Sequence, residues 1–189
     1  KWSNYIHGAG IWLNTQRPEW NDANNALVGN GTSMVSVYYL RRLLNNISQL
    51  LETSNLSKVQ ISKEVADWFY GAKESNRKFK GHFSTAFSDT DRKNFIDKLG
   101  RKARDYRWQV YNNGLSALYS QVSISELIEF NNECIEFIDH TIKTNKRDDG
   151  LYHSYNLIDF SGKGSVKINH LYEMLEGQVA VLCSGILSA

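Results

Sequence analysis

The residues best suited to chemistry lie together near the start of the chain. The segment Arg17-Pro18-Glu19-Trp20-Asn21-Asp22-Ala23-Asn24-Asn25-Ala26-Leu27-Val28-Gly29-Asn30-Gly31 places two carboxylates on either side of a Trp-Asn pair. Amides crowd the next positions, and glycines then release the chain into a helix. Cleaving a glycosidic bond takes one carboxylic acid to protonate the leaving oxygen and a second carboxylate across the sugar. It also takes polar groups for the hydroxyls and an aromatic face for the apolar side of the ring. All of these residue types occur in the segment. The same residues admit a structural role, in which Glu19 and Asp22 cap the following helix and bond loop amides. Spacing leaves both roles open. Pro18 fixes its own φ and disfavours the α region at Arg17, so the loop starts non-helical. A general acid needs its proton held by partial burial or a like-charged neighbour, and Glu19 is such a neighbour for Asp22.

A second irregular stretch, Lys146 to Lys167, contains Asp148-Asp149-Gly150-Leu151-Tyr152-His153-Ser154-Tyr155-Asn156. Long loops rich in aromatic and polar side chains are frequent sites of binding on a rigid scaffold. Trp20, Trp12, Tyr152 and Tyr155 are therefore the candidate ring-stacking surfaces. Arg17, Asn21, Asn24, Asn25 and His153 are the candidate hydroxyl binders. His7 and His153 suit a sugar hydroxyl or a phosphate, or a structural role. For a partner carboxylate, Glu173 and Glu176 stand one turn apart on a helix. Gly177 inside that helix costs about 1 kcal/mol relative to Ala, which close helix packing or a nearby ligand would offset. A surface or packing role is the competing reading of these glutamates. The sequence has no Walker loop, nucleophile elbow or Cys/His zinc pattern, and Asp148-Asp149 lacks calcium-loop spacing, so no cofactor and no metal are expected.

The elements that must position these residues read as helices. Five segments carry apolar residues at helical spacing: about Thr32 to Glu52 with the stripe Leu40, Leu43, Leu44, Ile47, Leu50, Leu51; about Lys58 to Phe79 with Trp68 and Phe69; about Thr90 to Leu118 with Phe95, Leu99 and Tyr106; a fourth through Ile124, Ile135 and Ile142; and a fifth from Ile168 through Leu175 and Leu182. Thr32 or Ser33, Ser57, Ser88, and Ser123 or Ser125 are placed to cap helix starts. Asn113-Gly114 is placed to bend or end the third helix. Long helices joined by short loops pack antiparallel, so the expected fold class is all-α, built of antiparallel helical hairpins. Residues 1–189 then form a single helical domain.

The Glu-Trp-Asn-Asp-Ala-Asn-Asn run resembles the catalytic loop of the six-hairpin (α/α)₆ glycosidase clan. It is similar to the Asp-Trp-Asn-Asp loop of cellobiose-phosphorylase-like enzymes, and to loops of trehalase-like and glucosidase-like relatives. The resemblance covers about fifteen residues; this chain has Glu where that motif begins with Asp, and Ala-Asn-Asn where it has a Gly-rich run. It implies Asp22 as first choice for the general acid and Glu19 as second. Leu175-Glu176-Gly177-Gln178 resembles the Glu-Gln element that carries the base in glucoamylase-like members, which makes Glu176 the candidate base. The implied protein is a piece of a larger (α/α)₆ toroid, a glycoside hydrolase or less readily a phosphorylase, acting on an oligosaccharide or glucan. Its active form would need the remaining hairpins of the parent chain, and the piece alone would be inactive or poorly active. The alternative is a non-catalytic helical module that binds carbohydrate or another protein.

Bulk properties narrow the classes. A hydrophobic fraction of 41% with 12% aromatic residues is enough for a packed core. The formal net charge of +2 lacks the basic excess of a nucleic-acid module, and Arg101-Lys102-Ala103-Arg104 reads as a solvated helix face. No apolar run is long enough for a membrane span. The first residues do not form a signal peptide and no initiating Met is present, so a native N-terminus further upstream is expected and the compartment stays open. Cys134 and Cys183, both among apolar neighbours, are expected as buried free thiols.

Overall fold

The computed structural model describes residues 1–13, 27–84 and 87–187. A short 3-10 turn, Trp2–Asn4, leads into β1 (Tyr5–Ile6) and β2 (Gly10–Trp12), which pair as a hairpin. β3 (Gly31–Ser33) runs directly into α1 (Met34–Glu52), and β4 (Lys58–Ser62) directly into α2 (Lys63–Lys80). After a 3-10 turn at Gly81–Ser84 come α3 (Asp89–Asn113), β5 (Tyr119–Ser123) and α4 (Ile124–Thr144). β6 (Tyr155–Asp159), β7 (Lys167–His170) and α5 (Leu175–Cys183) complete the chain.

The strands form a five-stranded sheet in the order β1-β2-β3-β6-β7, antiparallel throughout, and a separate two-stranded ladder of β4 with β5. One row crosses four strands of the larger sheet, Trp12 opposite Thr32, Thr32 opposite Asn156, and Asn156 opposite His170. The fold is therefore mixed α/β. The all-α expectation, with its antiparallel hairpins and (α/α)₆ six-hairpin plan, is overturned by this sheet. The second helix begins at Lys63 rather than Lys58, because Lys58–Ser62 alternates Val59 and Ile61 with polar residues and pairs with β5. The fifth begins at Leu175 rather than Ile168, since Ile168 lies in β7 opposite Ile158. The third helix stops at the Asn113-Gly114 pair.

Helix starts follow the cap chemistry. Ser33, Ser62, Ser88 and Ser123 each accept a hydrogen bond from the backbone N–H three residues on, and Asp91 and Glu126 complete capping boxes at α3 and α4. Ser62 takes the place anticipated for Ser57. Thr32 is a strand residue whose hydroxyl donates to the Ala9 carbonyl at 2.8 Å.

The core joins the sheet to the helices through aromatic rings. Phe137 on α4 stacks on Phe95 of α3 with centroids 4.9 Å apart and meets Trp2 edge-on at 6.1 Å. Trp2 stacks on Tyr5 at 4.4 Å, and the Tyr5 hydroxyl donates to the Phe137 carbonyl at 2.7 Å. α1 packs on α4, α2 on α3, and α5 on α1. The buried residues of α1 are Met34, Val35, Val37, Tyr38 and Ser48, whereas Leu43 and Leu50 of the expected stripe are 52% and 70% exposed. Cys134 is a buried free thiol as expected, and Cys183 is free and half-buried. No described helix is long and apolar enough to cross a membrane.

Gly177 shows why a costly glycine sits inside α5. A Cβ there would lie 2.2 Å from the Ser154 Oγ and 2.9 Å from the Ser154 Cα. Its own N–H donates to that Oγ at 2.9 Å. Gly177→Ala gains helix propensity but forces the start of α5 off β6. It is expected to destabilise the protein by about 1–3 kcal/mol, the usual cost of overpacking, in urea denaturation. A variant as stable as the parent would show that the packing yields easily.

Candidate functional site

The chemistry-bearing segment joins β2 to β3, and both of its roots are fixed. The Leu13 N–H donates to the Gly31 carbonyl at 3.0 Å, and the Trp12 indole N–H donates to the Gly29 carbonyl at 2.8 Å. Leu27 is fully buried in the main core. Gly31 must be glycine, because a Cβ there would come within 2.6 Å of both the Cβ and the carbonyl oxygen of Leu27. Arg17, Glu19, Trp20, Asn21, Asp22, Asn24 and Asn25 lie outside the described residues.

Beside this root opens a groove of about 590 Å³ whose wall includes Trp12 and Leu13 themselves. Trp68 of α2 and Tyr106, Arg107 and Tyr111 of α3 line it as well. The Trp68 indole N–H is held by the Ser3 hydroxyl at 2.9 Å, and the Asn4 side-chain amide donates to the Trp12 carbonyl at 3.3 Å. These two bonds tie the chain start to the Trp68 indole and to the Trp12 backbone. Tyr111 is 81% exposed, so its phenol is free to cover a ligand. Flat aromatic faces with an arginine and small polar groups at the rim suit a ligand with apolar C–H faces and equatorial hydroxyls. Among the described residues no group of three or more His, Cys, Asp or Glu could hold a metal ion.

The structure gathers the other candidates where β6 meets α5, and mostly in structural roles. Tyr155 is buried, and its hydroxyl donates to Glu176 Oε2 at 2.7 Å. Glu176 is exposed at the first turn of α5. Tyr152 is buried, its backbone bracketed by Gln178, which accepts from the Tyr152 N–H at 3.0 Å and donates to its carbonyl at 2.7 Å. Neither tyrosine offers a face to a sugar, because the strand turns Tyr155 inward and the Lys146–Tyr152 bridge closes the turn before it. His153 stacks on His170, centroids 4.0 Å apart and planes 6° apart, with its Nδ1 buried and without a hydrogen-bond partner among the described residues. Glu173 is ion-paired to Arg147.

His7 is not a surface ligand group either. It is buried, with Nδ1 3.2 Å from the Tyr5 hydroxyl and Nε2 3.0 Å from His140 Nδ1. Burial, then the nearby His140 and Arg92, hold its imidazole well below the usual histidine value. His140, His153 and His170 are lowered too, mainly by burial. For each of these groups the unfolded chain binds a proton at higher pH than the folded chain does. Their contribution is therefore complete above the ordinary value of 6.5 and is lost as pH falls below it. His7 alone is expected to give a slope of up to about 1.4 kcal/mol per pH unit on the acid side of that value. Urea midpoints at about pH 7.5 and about pH 5.5 check this, and equal midpoints would contradict it.

The groove residues Trp68, Tyr106, Arg107 and Tyr111 were not singled out for ligand binding by sequence, because helical spacing assigns Trp68 and Tyr106 to a core face. A signal was present in the surplus of aromatics along Tyr106-Arg107-Trp108 and Tyr111, more rings than one buried stripe of α3 accommodates. The chain matches no protein-family model, and no curated protein matches it.

Proposed function

We propose that the chain is part of a carbohydrate-active protein, in which a saccharide lies in the aromatic groove and the segment between β2 and β3 acts on a glycosidic bond. One observation carries this reading: the wall of the groove, Trp12 and Leu13, is also the root of the segment that holds Glu19 and Asp22. A sugar stacked on Trp68 and Tyr106 lies beside that root. Arg107 and the Ser3 and Asn4 side chains are at hand for its hydroxyls. In this reading Asp22, or Glu19 in its place, protonates the leaving oxygen; Glu176, the base implied by the resemblance, is bonded to the Tyr155 hydroxyl and does not line the groove.

A second reading, a module that binds carbohydrate without cleaving it, is favoured by the state of the C-terminal glutamates. Glu173 is occupied by Arg147 and Glu176 by Tyr155, as expected of groups serving packing rather than catalysis. Calorimetric titration with cello- and malto-oligosaccharides tests the part that both readings share. Trp68→Ala is expected to weaken binding by about tenfold, the equivalent of about 1.4 kcal/mol of lost stacking and burial. Unchanged affinity in that variant, or no binding by the parent protein, would remove the groove from both readings.

A further inference from the structure

A second pocket of about 450 Å³ adjoins the aromatic groove and shares Trp68 and Tyr106 with it. Glu64 lines this pocket at the first turn of α2 and is only 6% exposed. Its Oε1 accepts from the Ser116 N–H at 2.9 Å, which pins the loop after α3 to the start of α2. Its Oε2 is enclosed and has no hydrogen-bond partner among the described residues. The adjacent cation, Lys63, is engaged by Asp67 at 2.8 Å. Hydrogen bonding by Ser116, through side chain and backbone, holds the Glu64 carboxyl below its usual range, so the group is ionised at neutral pH and can only accept.

An enclosed carboxylate oxygen without a donor is costly, and buried acceptors almost always have a partner. The missing donor is therefore the property to explain. A metal ion does not fit, since no group of three ligating side chains is assembled among the described residues. Lys63 and Lys102 are offset by Asp67 and Asp105 in the same lining, so charge alone does not select the donor. A neutral hydroxyl supplies it, and the ring faces beside Glu64 favour that choice. The indole and phenol that form the shared wall supply the ring faces that a hydroxyl-bearing ring requires. Lys102 is an exposed residue of the same lining, its stem laid against Gly71.

We propose that this pocket is a second sugar subsite, continuous with the aromatic groove across Trp68 and Tyr106, in which Glu64 Oε2 accepts a hydrogen bond from a sugar hydroxyl. The ligand is then a saccharide chain long enough to fill both pockets rather than a disaccharide. This rests on the carbohydrate reading of the groove.

The test is calorimetric titration of the full-length protein with cellobiose and cellohexaose, and with maltose and maltohexaose, against Glu64→Gln. The amide oxygen of the variant retains the Ser116 bond while the enclosed acceptor is lost. Affinity for the effective hexasaccharide is expected to fall by about tenfold, and affinity for the corresponding disaccharide by less than about twofold. Should Glu64→Gln not fold, Gln109→Ala removes a lining group of the second pocket alone and is expected to cost about threefold for the hexasaccharide only. Hexasaccharide binding no tighter than disaccharide binding, or equal losses for both, overturns the subsite and leaves the carbohydrate reading standing. No binding of any of the four sugars overturns that reading and the subsite together.

Discussion

On the catalytic reading proposed above, Asp22→Asn is expected to lower glycosidic cleavage by the full-length protein by about 10²–10⁴-fold, the factor general acid catalysis contributes, with the fold unchanged. The amide is close in size to the carboxyl but cannot give up a proton to a leaving oxygen. Folding is expected to survive because the segment is held at its roots by groups other than Asp22. These are the Leu13 N–H on the Gly31 carbonyl, the Trp12 indole on the Gly29 carbonyl, and the buried side chain of Leu27. If Glu19 is the acid, the loss appears instead in Glu19→Gln. Turnover on cello- and malto-oligosaccharides, with circular dichroism as the control for folding, separates the two. Full activity in both variants would leave the segment as scaffold, and the binding-only reading would stand.

Phe137→Ala is expected to cost about 3–5 kcal/mol of stability, the range for removing a buried aromatic ring from a core. Phe137 is fully buried between Phe95 and Trp2, and its backbone carbonyl receives the Tyr5 hydroxyl. It thus sits where α3, α4 and the first hairpin of the sheet meet. Domains of this size are stable by only about 5–15 kcal/mol, so the loss should move the urea midpoint far toward water. A cost under about 1 kcal/mol would mean that neighbouring side chains collapse into the space. It would also mean that the stack of Trp2 on Tyr5 and the hydrogen bond from Tyr5 hold the sheet in place without this ring.

Helices and their starts were legible because their signals are local. Ser33, Ser88 and Ser123 cap where side-chain chemistry places them, and the Asn113-Gly114 pair ends α3. The sheet was not legible, for two physical reasons. Its strands are short: β1 has two residues and β2 and β3 have three each, fewer than a two-residue period needs to declare itself. Its pairings are also remote in sequence, Gly31–Ser33 lying against residues 155–157, so nothing near either strand announces the other. At Lys58–Ser62 the alternation of Val59 and Ile61 was present but was absorbed into the helical stripe that follows. The stripe on α1 misled in the opposite direction, since the regular leucines Leu43 and Leu50 face outward while Val37 and Tyr38 face the core.

Of the candidate site, the sequence offered residue types rather than positions. Trp12 lines a groove at the root of the segment with the two carboxylates. Tyr152 and Tyr155 were expected at a surface because they fall in a stretch without helical period. β6 instead carries Tyr155 into the core, where its hydroxyl finds Glu176. Trp68 and Tyr106 were assigned to core faces because period alone does not tell which part of a helix the rest of the chain covers. The six-hairpin scaffold implied by the resemblance gave way to the sheet, so the carbohydrate reading rests on the groove and on the residue types of the segment whose root lines it.

The most direct measurement is a crystal structure of the full-length protein soaked with cellohexaose or maltohexaose at saturating concentration. The account predicts sugar rings stacked on Trp68 and Tyr106, one end of the chain beside Trp12 with a glycosidic oxygen within hydrogen-bond reach of Asp22 or Glu19. A saccharide bound elsewhere, or neither sugar bound at all, would contradict it.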